Sequence, residues 1–475
     1  MDNLPLLHEL LPDQKDALLI LLWEENQALK KQVAVLQVQV DSLQAQIDDL
    51  TQKLNSNSQN SHKPPSSDGF KRVKVKREKS NKKTGGQTGH KGHALQRSNN
   101  PDYIVEHPVE TCSNCKSNIK DAISLGYKIA QVFEIPLLKV QVTEHRIFEK
   151  VCPCCGKICS AHLPEGVAFG LQYGNRLRSF LIYLHHYHYL SSDRISEFFS
   201  DVFNHSISEG VVFISEEEAF INLEQFEYAA KELLKKEKVL HADETSLRVD
   251  NHKEWLHVLS STNLTQYFIH QKRGKIATDE MGVLPFFKGI LVHDHWKPYF
   301  QYECEHALCN AHHLRELRAV SEGTNHLWAE EMRNFLEEIK QTKEENNLSN
   351  IKIFEIRYNS ILKKGFKEAS QVHERGPPKR KHHPKEICLL DRLKKRKKQV
   401  LAFMYKAIAP FTNNLAERDI RMMKLKMKVS GCFRKKSGAQ IFCRIRGYIS
   451  TMKKRCVSVL DALEQALRGN AYPAF

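Results

Sequence analysis

With 475 residues, 41% of them hydrophobic and 27% charged, the chain is long enough for two or three compact domains, and no apolar run reaches the roughly 18–20 residues of a membrane span. Its first residues lack the basic and apolar pattern of a secretory leader, so the sequence predicts a cytoplasmic protein with no membrane partner. The net charge of +16 is concentrated: residues 62–100 and 375–398 each hold eleven Lys or Arg against two acids, which points to a polyanion partner.

From Leu22 the leucines recur at 29, 36, 43 and 50, with Asn26, Val33, Val40, Ile47 and Leu54 at the other seam position. β-Branched residues at a and Leu at d favour a parallel two-stranded coiled coil, and Asn26 would fix its register. Residues 1–54 are therefore expected to pair two copies of the chain. Residues 55–100, rich in Ser, Asn, Pro, Gly and Lys, cannot bury enough apolar surface to offset ordering entropy and read as a basic tether.

Cys112-x-x-Cys115 and Cys152-x-x-Cys155 lie 36 residues apart, the arrangement in which two thiolate pairs close a tetrahedral structural zinc site. Cys154 and Cys159 are alternatives to Cys155. Between the pairs, Gln131–Pro136 and Lys139–His145 alternate like strands, so residues 101–165 are expected to form a zinc ribbon.

Residues 166–235 read as helices. An N-cap cluster at Ser191–Asp193 and a second start near Ser208 give the spacing of a helix-turn-helix, a DNA-binding module whose second helix would enter the groove. The His185-His186-Tyr187-His188 cluster, with no carboxylate nearby in sequence, is assigned to packing or phosphate contact.

From Val239 the pattern turns to strands: the run to Asp243, then 255–259, then 267–270, a helical segment at 276–284, and a fourth strand ending at Asp294. Three strands, a helix and a strand is the order of a ribonuclease-H-like α/β fold, in which strands one and four are neighbours. Two carboxylates at neighbouring strand ends repel unless a cation lies between them, and two Mg²⁺ ions could there stabilise both oxygens of an in-line phosphoryl transfer. For a third acid Glu417 and Asp419 compete. Glu417 is preferred because Arg421 and Lys424 share its helical face, where cations meet phosphates. Cys309 and His312 can share a helical face as metal ligands or in a structural hydrogen-bond role. Helical patterning across about 312–405 reads as an insertion in a catalytic domain spanning 236–430. It ends in the basic run of Lys395, Arg396 and Lys397, and 431–475 form closing helices.

Taken together, His241-Ala242-Asp243-Glu244-Thr245, His293-Asp294-His295-Trp296, Cys309-Asn310-Ala311-His312, Asn413-Asn414-Leu415-Ala416-Glu417-Arg418 and the double Cys-x-x-Cys make the chain resemble a DDE transposase of the insertion sequence 66 family. The resemblance implies Asp243, Asp294 and Glu417 as the catalytic, magnesium-binding triad. It implies DNA as partner, both element ends and target, contacted by Arg418, Arg421, Lys424 and the 395–397 run, and it admits accessory proteins of the same element. The competing expectations are a DNA-binding regulator with an inactive core and a structure-specific nuclease.

Overall fold

The computed structural model describes residues 11–55, 95–324, 326–345, 350–373 and 384–474. The Ser/Asn/Pro block, most of the first basic segment, and residues 375–383 of the second lie outside them. Two compact units divide the described chain, one of residues 11–55, 164–195 and 209–474, the other of 95–163 and 196–208.

Helix α1 (Pro12–Asn55) runs for 44 residues, which at 1.5 Å per residue is about 65 Å. Leu22, Leu29, Leu36, Leu43, Leu50, Val33, Val40 and Ile47 are all more than half exposed along it. In the smaller unit each Cys-x-x-Cys closes a tight turn. Cys112 N–H donates to Ser117 O and Lys116 N–H to Cys112 O, and the Cys152 turn repeats this with Lys157 and Gly156. Strands β1 (Glu149–Val151) and β2 (Ile158–Ser160) pair around the second turn. The expected strands across 131–145 do not form. Alternation yields a strand only where one face has a surface to pack on, and Val132, Ile135, Leu137 and Val142 are all exposed.

In the larger unit α2 (Asn175–Ile182) runs into a π-helical turn at Tyr183–Tyr187, followed by α3 (Ser192–Phe203), inside which the unit boundary falls, then α4 (Glu209–Asn222) and α5 (Glu224–Lys236). A five-stranded sheet comes next. It comprises β3 (Val239–Val249), β4 (His252–Ser260), β5 (Thr265–His270), β6 (Ile290–His293) and β7 (Glu305–Leu308), with α6 (Lys275–Glu280) between β5 and β6. Its order is β5-β4-β3-β6-β7, antiparallel across the first three and parallel from β3 to β7, so strands one and four of the run are neighbours.

One expectation needs correcting: β3 does not end at Asp243. It continues to Val249 and returns as β4 through Asp250 and Asn251, both at positive φ (46° and 58°), the two-residue turn whose twist suits a hairpin. The parallel pairing with β6 does stop at His241, so Asp243 lies just beyond the end of that neighbour.

Strand β6 is buried along its whole length, as a central parallel strand must be. Its entrance is Gly289, where a Cβ would stand 2.6 Å from Lys238 O and 2.7 Å from Glu237 O. After β7 come α7 (Asn310–Thr324), α8 (Leu327–Glu344), α9 (Ile351–His373), α10 (Lys385–Lys395) and two single turns, α11 (Lys397–Val400) and α12 (Ala402–Tyr405). These helices enclose a core of their own around Trp328, Phe335, Leu336, Tyr358 and Leu390. The chain then returns as α13 (Asn414–Ser430), α14 (Lys436–Lys454) and α15 (Val459–Leu467). Ala416, Ile420 and Met423 of α13 pack on Leu247, Val249, Leu256 and Val258 of the sheet, while Leu240 and Ala242 face a second core with α5, α14 and α15. Alternation along β3 therefore puts Asp243 on the face that α13 covers and Glu244 on the other.

Gly289→Ala is expected to cost about 1–3 kcal/mol, since the new methyl can relax only by moving the start of β6. A denaturant midpoint no lower than that of the parent chain would disprove the close approach.

Candidate active site

Three segments distant in sequence meet beyond the end of β6. Asp243 comes from β3, Asp294 follows β6 directly, and Glu417 sits in the first turn of α13. Burial, then the charges of Glu244, Asp294 and Glu417, push the Asp243 carboxyl well above the usual carboxylate range. Asp243 accepts the backbone N–H of Glu244 at 2.9 Å, and Asp294 accepts that of Trp296 at 2.8 Å. The structure thus gathers the three acids singled out in the sequence, and adds a fourth.

Glu244 is that fourth acid. Its Oε1 accepts Nε and Nη2 of Arg273 at 3.0 and 2.7 Å, and its Oε2 accepts the Tyr299 hydroxyl at 2.7 Å. Burial and the Asp294 charge still raise its pKa to about 7. Arg273, 29 residues along the chain and outside any motif, gave no sequence signal.

Asp419 turns away from this cluster. Its carboxylate accepts the hydroxyls of Ser260 and of Thr265 (3.0 Å) and the ammonium of Lys454 at 3.1 Å, while its carbonyl accepts the Tyr267 hydroxyl. That is a tether of α13 to the sheet and α14. A second tether is Asn413. Its side chain donates to Ala242 O at 2.8 Å and accepts from His241 Nδ1 at 3.0 Å, its own N–H donates to Cys309 Sγ, and its carbonyl caps the N–H of Glu417. One buried amide therefore joins the strand of Asp243, the end of β7 and the helix of Glu417.

Cys309 and His312 stand beside the third acid, with Sγ 3.7 Å and Nδ1 3.9 Å from Glu417 Oε1. Their ligand atoms and that oxygen lie within 4.8 Å of one another. Burial pushes the Cys309 thiol up to about 12, so it stays protonated unless a cation arrives.

The histidine cluster at 185–188 has the carboxylate that its own stretch lacks. Glu216 of α4 contacts His185 Nδ1 and stands 3.0 Å from His186 Nε2, and Lys426 of α13 reaches His185 Nε2 at 2.9 Å. Burial works against the ionised carboxyl, yet the imidazoles hold Glu216 down at about 2. Lys426 balances its charge, which makes the cluster a third anchor of α13.

The cations expected to meet phosphate fall into two groups. Arg418, Arg421 and Lys424 are exposed on α13. Lys395 is exposed, whereas Arg396 lies over the Phe300 ring at 3.7 Å and Lys397 over Tyr358 at 5.9 Å, both partly buried. Helix α4, the expected reading helix, carries four glutamates and no Lys or Arg, so it repels a phosphate backbone. The four cysteines expected to hold zinc form no common cluster among the described residues, although the Ser117 hydroxyl beside Cys115 lowers that thiol to about 7.

Comparison with known proteins places the chain among the transposases. Residues 170–441, more than half of its length, match the family model described as Transposase IS66 family, and the chain belongs to that family. Residues 9–96 match a second model, a family of unknown function (DUF6444), and no curated protein matches the chain.

Because the folded chain holds protons on Asp243 and Glu244 that the unfolded chain has released, these groups make stability fall as pH rises from about 5 to about 8 without divalent cations. Asp243→Asn should raise the melting temperature at the upper end of that range and flatten the fall. Equal slopes for the two proteins in EDTA would rule this out.

Proposed function

We propose that the chain cuts the ends of its element and joins them to target DNA by cation-dependent phosphoryl transfer, with Asp243, Asp294 and Glu417 as catalytic acids. The observation that carries this reading is the proximity of those partly buried carboxylates, which leaves Asp243 hard to ionise. Support also comes from the sheet: three antiparallel strands followed by two parallel ones is a ribonuclease-H-like order, with the acids grouped beyond the end of β6.

The donor set is of the kind a hard divalent cation takes, three carboxylates near enough for the charges of Asp294 and Glu417 to act on Asp243. Asp243, Asp294 and Glu417 would hold it. A pair of such ions supplies charge stabilisation to the attacking and leaving oxygens of an in-line displacement. Around them the chain positions DNA. Arg418, Arg421 and Lys424 on α13 bind backbone phosphates beside Glu417, and the 395–397 run extends that contact. Water attacks phosphorus at the element end and the P–O3′ bond breaks, leaving a 3′-hydroxyl. That hydroxyl then attacks a target phosphorus and displaces its 3′-oxygen. Glu244 stays committed to Arg273 and Tyr299.

Two further assignments belong to this reading. Cys112, Cys115, Cys152 and Cys155 hold a structural zinc, for which each turn already shapes one thiolate pair. Two copies pair through α1, whose eight apolar seam residues would otherwise face water.

Asp294→Asn and Glu417→Gln should retain binding to element-end duplex and lose cleavage by on the order of a thousandfold, because the charge that holds the cation is gone while the fold remains. Asp419→Asn should instead lower the melting temperature. Binding without cleavage by the parent protein in Mg²⁺ would favour a DNA-binding regulator. Replacing Leu29 and Leu36 together by Lys should give monomers in light scattering, and a persistent dimer would remove α1 from the assembly.

A further inference from the structure

A ladder of cations and aromatic rings borders the acid cluster on the sheet face opposite α13. Lys253 Nζ stands 4.7 Å over the Trp255 ring, and the Arg273 guanidinium lies 4.9 Å from the Trp255 centroid and 4.8 Å from that of Trp296. The register explains the placement. Glu244 pairs with His257 and Ser246 with Trp255, so Glu244 and Trp255 point to one face and Asp243 to the other. Trp255 and Trp296 are partly exposed, as is the Arg273 side chain at 42%, while Lys253, Lys272, Lys275 and Lys297 are exposed around them.

The ladder is held in place from beneath. Arg273 makes two bonds to the buried Glu244, Glu244 is fixed by Tyr299, and the Trp296 ring meets Tyr299 edge-on at 5.0 Å. Its inner end is tied to the chemistry, because the backbone N–H of Trp296 donates to the Asp294 carboxylate. Core packing would not leave two indoles partly exposed between cations. An indole face there suits a flat partner, and a positive fringe suits an anionic one. A nucleotide is both, but only when unpaired, since in a duplex its faces are already stacked.

We propose that Lys253, Trp255, Arg273 and Trp296 form a seat for unpaired nucleotides next to the scissile phosphate, separate from the duplex-binding cations of α13. The inference rests on the acid cluster being where DNA is cut, and it adds that the cut DNA is locally unpaired there. The seat fixes the strand, and α13 fixes the duplex. Neither the cation ladder nor the stacking depends on base sequence.

The test uses the full chain in EDTA, so that binding is read without cleavage. A mixed-sequence duplex with blunt ends is compared with the same duplex carrying a single-stranded tail of about five thymidines. The tail should tighten binding roughly tenfold. It should also quench tryptophan fluorescence, because of the four tryptophans Trp328 is fully buried and Trp23 lies far off in sequence on α1. Trp255→Ala with Trp296→Ala should abolish the tail's advantage and leave blunt-duplex affinity unchanged, while Trp296→Phe should keep part of both effects. A tail that gives no advantage to the parent protein, or an advantage that survives the double substitution, overturns the proposal. If tails are preferred but the parent never cuts element-end duplex in Mg²⁺, the seat stands and the cleavage reading falls.

Discussion

Like charges forced together out of water are the constraint around which this chain is arranged. Asp243, Glu244, Asp294 and Glu417 would separate if they were free, yet each is delivered by a rigid element that is itself tied down. Helix α13 shows the cost of doing this. It is pinned at its start by Asn413, in its second turn by Asp419 to Lys454, and in its fourth by Lys426 to the His185–Glu216 cluster. Three polar anchors on one 17-residue helix are more than packing requires, and they oppose the repulsion acting on Glu417. A divalent cation among these acids would offset that repulsion.

The same economy runs through the opposite face. Glu244 cannot join Asp243 on the α13 side, because adjacent residues of a strand diverge. Arg273 turns that residual charge into a support for two tryptophans. A carboxylate on the sheet face away from α13 is thus the base of a second surface.

Much of this was legible in the sequence where the signal is local. The heptad of α1, the paired cysteines, the strand-helix-strand order and the acids beside apolar runs all depend on neighbouring residues, and the structure brings Asp243, Asp294 and Glu417 together. What escaped depends on distant partners. Glu216 is 31 residues from His185, Asn413 is 171 from Ala242, and Arg273 is 29 from Glu244; none of these pairs leaves a periodic trace. The length of β3 could have been read from Asp250-Asn251, a pair suited to a two-residue hairpin. The alternation across 131–145 misled because period two reports a possible face without saying whether anything packs on it.

The helices between Asp294 and Glu417 have their own core, so the third acid arrives only after a separate module has folded. Closing that loop carries an entropy cost that grows slowly with the span enclosed. During synthesis the two aspartates, the tryptophan ladder and α1 all emerge earlier. A chain interrupted within those helices would therefore lack not only the last acid but also α13, α14 and α15, whose apolar residues complete both cores packed on the sheet.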